Sequence, residues 1–211
     1  MRYAGEGLAR RVLLACASMA VAMLIGTSVF AQQKIAIEPN TVGPDAARAL
    51  TIISRPGSYV LNRNIVNARA GVDSVHVTAS NVTIDLQGFA IMSTNSSTGV
   101  GINSSGVSNV IIRDGTISGQ GGAGISAGNT TSISDLVVSG NGGSGISCGA
   151  GCLISNNVVQ GNAGAGMIFL DNTTGYLANV VQGNDSNTSG TTGQVSGGTS
   201  LGQNLCNGTT C

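Results

Sequence analysis

The stretch GNGGSGISCGAGCLISNNVVQGNAGAGM, residues 140–167, says nearly the same thing twice. GNGGSGI at 140–146 returns as GNAGAGM at 161–167, 21 residues later, with paired valines in between. Working outward at that offset, other columns fall into line. Ile125, Ile146 and Met167 are 21 apart, and Ile102 precedes Ile125 by 23. Ile112, Ile133 and Ile154 form a second column, and Ile117, Val138 and Val159 a third. Gly119, Gly140 and Gly161 follow, then Gln120, Asn141 and Asn162. YLANVVQGN at 176–184 is a later copy, and NVTIDLQGFAI at 81–91 an earlier one echoed by NVIIRDGTI at 109–117. The repeat thus runs through about five or six copies over residues 75–187.

A period near 21 residues has few physical solutions. No leucine pattern supports a leucine-rich repeat, and helix formers are too scarce for heptads. What remains is a coil of short parallel strands, about three per copy, each copy climbing one strand spacing of ~4.8 Å. The Val and Ile columns face inward and stack on copies of themselves. Glycine serves where the chain turns with positive φ or where coils approach closely. An asparagine column can form an amide ladder up the stack, as stacked asparagines do in cross-β structure. One coil cannot bury its apolar side alone, so stability comes from stacking.

On the residues NVTIDLQGFAI, NVIIRDGTISG, LVVSGNGGSGI and NNVVQGNAGAGM, the chain resembles the right-handed parallel β-helix proteins of the pectin-lyase-like group. The resemblance covers roughly residues 50–187. It implies an all-β, right-handed, single-stranded parallel β-helix of about five to six coils with an N-terminal cap. It leaves function open, because the fold hosts lyases, hydrolases, epimerases, tailspikes and adhesins. Residues 32–74 read as the cap with lead-in strands, since a β-helix must cover its open end. Within them PDAARAL (44–50) suits a short helix and RPGSYVL (55–61) a turn and strand. Residues 188–211 lack the inward columns and read as a Gly/Ser/Thr-rich tail.

Composition agrees. Of 211 residues 33 are Gly, 9% are charged and 3% aromatic, with no Trp and zero formal net charge. The last base is Arg113, and beyond it stand Asp114, Asp135, Asp171 and Asp185. A nucleic-acid binder needs basic residues along its surface, so that class is excluded. Arg2, Arg10 and Arg11 precede an apolar run from Val12 to Phe30 that ends SVFAQQ. This reads as a secretory signal peptide, residues 1–31, cleaved between Ala31 and Gln32, which leaves no stable membrane anchor. An uncleaved anchor is the alternative, the run being just long enough to span a bilayer. Export places the chain in the periplasm, at the cell surface or in the medium. There Cys148, Cys152, Cys206 and Cys211 read as two disulfides, with local pairing the simplest of three connectivities. Zinc in the CxxxC and CxxxxC pairs is the alternative; no His stands near either pair.

Chemistry has to be looked for on outward positions. By the resemblance, lyases of this fold use an Arg or Lys base with Ca²⁺ held by acidic side chains, and hydrolases use clustered Asp. The column that offers this is Asp114, Asp135 and Asn156, with Arg113, Ser134 and Ser155 beside it. Two stacked carboxylates repel unless a cation or proton lies between them, so Asp114, Asp135 and Asn156 are the candidates for Ca²⁺. Asp114, Asp135 and Arg113 are the candidates for catalysis, against the plainer reading of solvated outward side chains. No organic cofactor is expected. His76 alternates with Val75 and Val77 and should face solvent, and Asp85 should satisfy a turn or bond the next coil. Tyr59 and Tyr176 are the aromatics available to a sugar ring. The favoured function is an exported, non-catalytic module of the cell envelope or extracellular space that contacts polysaccharide or another cell-surface component. The alternatives are a divergent polysaccharide lyase or hydrolase, and an adhesin or surface-structural protein.

Overall fold

The computed structural model of the chain describes residues 34–38, 48–185 and 193–211. The expected signal peptide, its junction at Ala31 and Gln32, and residues 44–47 of the expected short helix lie outside the described residues. Ala49 and Leu50, the end of that stretch, open a strand instead.

Regular structure among the described residues is β, in parallel sheets wound as a solenoid of about seven turns. Three faces can be followed up the stack. The first holds seven strands: Ala49–Ile53, Asp73–Val77, Ile102–Ser104, Ile125–Ala127, Ile146–Cys148, Met167–Phe169 and Val195–Ser196. The second carries Gly57–Val60, Val82–Asp85, Leu153–Ser155 and Gly175–Leu177; the third carries Ile65–Asn67, Ala90–Ser93, Val158–Gln160 and Val180–Gln182. The longer strands Val110–Ser118 and Ser132–Ser139 run round the corner from second face to third, so these two faces form one continuous sheet.

The registers reproduce the sequence columns. Ile102, Ile125, Ile146, Met167 and Val195 pair in succession on the first face. Tyr59, Ile84, Ile112, Ile133, Ile154 and Tyr176 do so on the second. Ile65, Ile91, Ile117, Val138, Val159, Val181 and Cys206 do so on the third. These side chains meet in a single core and nearly all are fully buried. Each aliphatic one contributes roughly 1.5–3 kcal/mol of transfer free energy against the entropy of ordering its turn.

The stack is longer than the five to six coils expected. Residues 49–67 and 195–206 pair in the same registers as the repeat, although their inward positions have drifted to Thr51, Tyr59, Ser200 and Cys206. The two tyrosines belong to this interior. Tyr176 stacks on Phe169 with ring centroids 5.6 Å apart, and the Tyr59 hydroxyl donates to the Arg55 carbonyl. Both are nine-tenths buried, which corrects their reading as sugar platforms.

Two amide ladders hold the corners. In one, Asn141, Asn162 and Asn184 stack with Gln120 below and Gln194 above. Each Oδ1 accepts the backbone N–H, and for the asparagines also the Nδ2–H, of the residue one turn below. Ser74 and Asn67 extend it downward through Gln120. Gln194 ends it by turning its own amide N–H onto the Asn184 carbonyl. The second ladder, Asn157, Asn179 and Asn204, repeats the geometry between the second and third faces. Buried amides so fully paired satisfy corner backbone that no strand partner reaches.

The cysteines pair locally, Cys148 with Cys152 and Cys206 with Cys211. The first closes the corner that leaves the first face. The second ties a short hairpin in which Thr209–Thr210 runs antiparallel to Leu205–Cys206. That hairpin covers the upper edge of the third face, a known guard against edge-to-edge pairing.

Candidate functional site

Asp114, Asp135 and Asn156 do form one column, and the backbone accounts for their identity. All three adopt positive φ, 62°, 58° and 58°, at the corner between the second and third faces. Gln87, Ala178 and Gln203 take the same conformation where the other turns make this bend. Asp and Asn enter the left-handed region more readily than other residues with a Cβ, so the turn alone selects them. Their side chains are exposed.

Arg113 sits beside this column but turns the other way. Its guanidinium donates to Asp85 Oδ2 at 3.1 Å, and Lys34 Nζ stands 3.8 Å from the same oxygen. Asp85 Oδ1 accepts the Gln87 N–H. Asp85 therefore serves both its own turn and the next coil, as its alternation with Ile84 and Leu86 suggested. Among the described residues no group of three or more His, Cys, Asp and Glu side chains converges. The column test is direct. Asp135→Gly should hold or slightly raise the urea midpoint, whereas Asp135→Val should lower stability by about 1–2 kcal/mol through left-handed strain. A midpoint that rises with Ca²⁺ in the native chain and not in Asp135→Gly would instead mark the column as a cation site.

Sequence reasoning did not find the polar cluster on the first face. Asp73 Oδ2 contacts His76 Nδ1 at 3.0 Å and accepts from Asn103 Nδ2 at 2.9 Å, while Oδ1 accepts the Val100 N–H at 2.7 Å. His76 is outward, as its alternation predicts, but partly covered. Asp73 is itself the pin: it fastens the longer loop before Ile102 to the turn below. An isolated Asp carries no period, so nothing in the repeat announces it.

The largest concave feature lies at the third corner. Gly140, Gly161 and Gly183 floor an open groove of ≈ 680 Å³, walled by Ser139, Gln160, Gln182 and Asn207. The glycines have φ of 63°, 62° and 60°, and a Cβ there would meet nothing within 4 Å, so the groove is open space over a bent backbone. Ser139, Gln160 and Gln182 stack in register as outward neighbours of the buried valines. Gln182 Nε2 donates to Gln160 Oε1 at 3.2 Å, an exposed amide ladder beside the buried one. Asn207 closes the upper end, its Oδ1 accepting the Gly183 N–H at 2.8 Å. A second hollow of ≈ 380 Å³ shares the same glycines on the other side of the corner. The glycine column was legible; that it lies in a concavity was not, since that depends on the angle between faces.

Comparison with protein-family models, curated proteins and solved structures returned no match.

Proposed function

We propose that the chain is an exported, non-catalytic β-helix module of the cell envelope or extracellular space that contacts polysaccharide. The observation that carries this reading is the groove at the glycine corner. Its wall presents Ser139, Gln160 and Gln182, one uncharged hydrogen-bonding side chain per turn, at the strand spacing of ~4.8 Å. An extended glycan offers hydroxyls at a comparable interval, so one turn faces about one sugar. Export is supported by the N-terminal apolar run behind three arginines and by two disulfides, which persist in oxidising compartments. The repeat phrases and the parallel stack support a place in the right-handed, pectin-lyase-like group.

The test is a glycan-array screen of the mature protein with and without Ca²⁺, paired with an assay for unsaturated or reducing sugar ends. Binding without turnover is the expected result. Turnover on a uronate polymer that Asp114→Ala and Asp135→Ala abolish would replace this reading with the enzyme. Silence in both assays would leave a structural role and overturn it.

A further inference from the structure

We infer that the glycan taken by this corner groove is uncharged and lies along the stack axis; the inference rests on the polysaccharide reading above. Its ground is the distribution of charge about the groove. Arg113 is the last Lys or Arg of the chain, so no cationic side chain follows in the turns that build the walls. Those same turns carry Asp114, Asp135, Asp171 and Asp185. A uronate or sulfated polymer would bring one charge per residue into this half of the molecule and find no counter-charge. Carboxylates of like sign within about 10 Å repel at ordinary ionic strength. Recognition of carboxylate or sulfate relies on Arg and Lys, which the groove lacks.

The polar groups present have the opposite bias. In the bond from Gln182 Nε2 to Gln160 Oε1, the Gln160 amide nitrogen and the Gln182 amide oxygen remain directed to other partners. One end of the pair can donate and the other accept. A sugar hydroxyl does both, so it fits a run of amides and a Ser139 hydroxyl without any change in protonation. The direction of the ligand follows from the register. Ser139, Gln160 and Gln182 sit one above another, perpendicular to the strands, so a chain touching all three must follow the axis.

Native affinity electrophoresis of the mature protein tests this. The gels contain dextran, mannan or arabinoxylan as uncharged polymers, and polygalacturonate or alginate as acidic ones. Retardation is expected on at least one uncharged polymer and on neither acidic one. The double variant Gln160→Ala with Gln182→Ala should weaken that retardation about tenfold or more, the loss expected for two hydrogen bonds. Both positions face outward, so its urea midpoint should match that of the native chain. Ser126→Ala with Ser147→Ala on the first face should leave retardation unchanged. Stronger retardation on the acidic polymers would overturn the inference while the polysaccharide reading stands. Retardation on none would overturn both. Retardation on an uncharged polymer that survives the glutamine changes would overturn the assignment of the groove.

Discussion

Replacing Asn162 by Ala is expected to destabilise the protein by about 3–4 kcal/mol, among the largest effects any single substitution here should have. The side chain is almost fully buried and all its capacity is used. Its Oδ1 accepts the Asn141 backbone N–H at 3.1 Å and Asn141 Nδ2–H at 2.8 Å. Its Nδ2 donates to Asn184 Oδ1 at 2.7 Å and to the Val138 carbonyl at 3.3 Å. Truncation removes four bonds and leaves partners on two adjacent turns that water reaches poorly, since the neighbouring positions are themselves buried. The cost of a lost hydrogen bond is modest when both partners return to solvent and large when one stays buried. Here both sides of the break stay buried, so the larger figure applies. Asn162→Asp sharpens the test. The carboxylate keeps the acceptor toward Asn141 but faces Asn184 Oδ1 and the Val138 carbonyl, both acceptors. Burial and these two oxygens favour its protonated form, raising its folded-state pKa above the unfolded value. Stability tied to such a group is present at low pH and lost as pH rises through the folded value. Asn162→Asp should therefore lie closer to the native chain at about pH 4 than at about pH 7. Urea unfolding at both pH values measures this; an equal deficit at each would mean the ladder does not depend on the donor at this position.

The same ladder shows what a sequence can and cannot reveal about this fold. Asn141 and Asn162 stand 21 residues apart and every copy around them keeps phase, so the column is visible in the letters alone. The ladder Asn157, Asn179 and Asn204 does equal physical work and is not visible in that way. Its spacing drifts, and the turn below offers no fourth amide, only the Leu136 backbone N–H. The end turns were hidden for a related reason. A loop separates Met167 from its partner Val195, another separates Val75 from Ile102, and the phase is lost across each. Register in a solenoid is set by stacking apolar side chains and by corner amides, both of which tolerate insertions at corners. The candidate carboxylates illustrate the converse error of emphasis. A column of acidic residues reads as chemistry in a string of letters, yet positive φ at 114, 135 and 156 selects Asp and Asn whatever else they do. The groove was illegible because its walls are ordinary residues; only the bend at Gly140, Gly161 and Gly183 makes them converge.

Gly145→Ala is the second large effect expected, and it tests the close approach of turns rather than their bonding. Gly145 does not have positive φ, so the added methyl is not a matter of backbone strain. It is a matter of space. A Cβ on Gly145 would stand 2.7 Å from the Gly166 carbonyl oxygen and 2.8 Å from Asn162 Nδ2, and would overlap the Val159 side chain. Gly124 and Gly166 meet the equivalent Val and Asn one turn below and above, so the constraint recurs up the stack. None of the three obstacles can yield freely: one is backbone, one a ladder amide, one a core valine. Overpacking of this kind costs about 1–3 kcal/mol, and disturbing Asn162 adds to it. Alanine also stiffens the unfolded chain, which favours folding by about 0.4–1 kcal/mol. The steric cost wins, and the net loss should be about 2 kcal/mol. Gly106→Ala is the matched control, because Gly106 is exposed, lacks positive φ and has nothing within 4 Å of where the new methyl would stand. There only the unfolded-state effect operates, and stability should hold or rise by up to about 1 kcal/mol. Urea midpoints of the two variants, read against the native chain, should move in opposite directions. If both fell alike, glycine's role at 145 would be generic flexibility rather than room for the next turn.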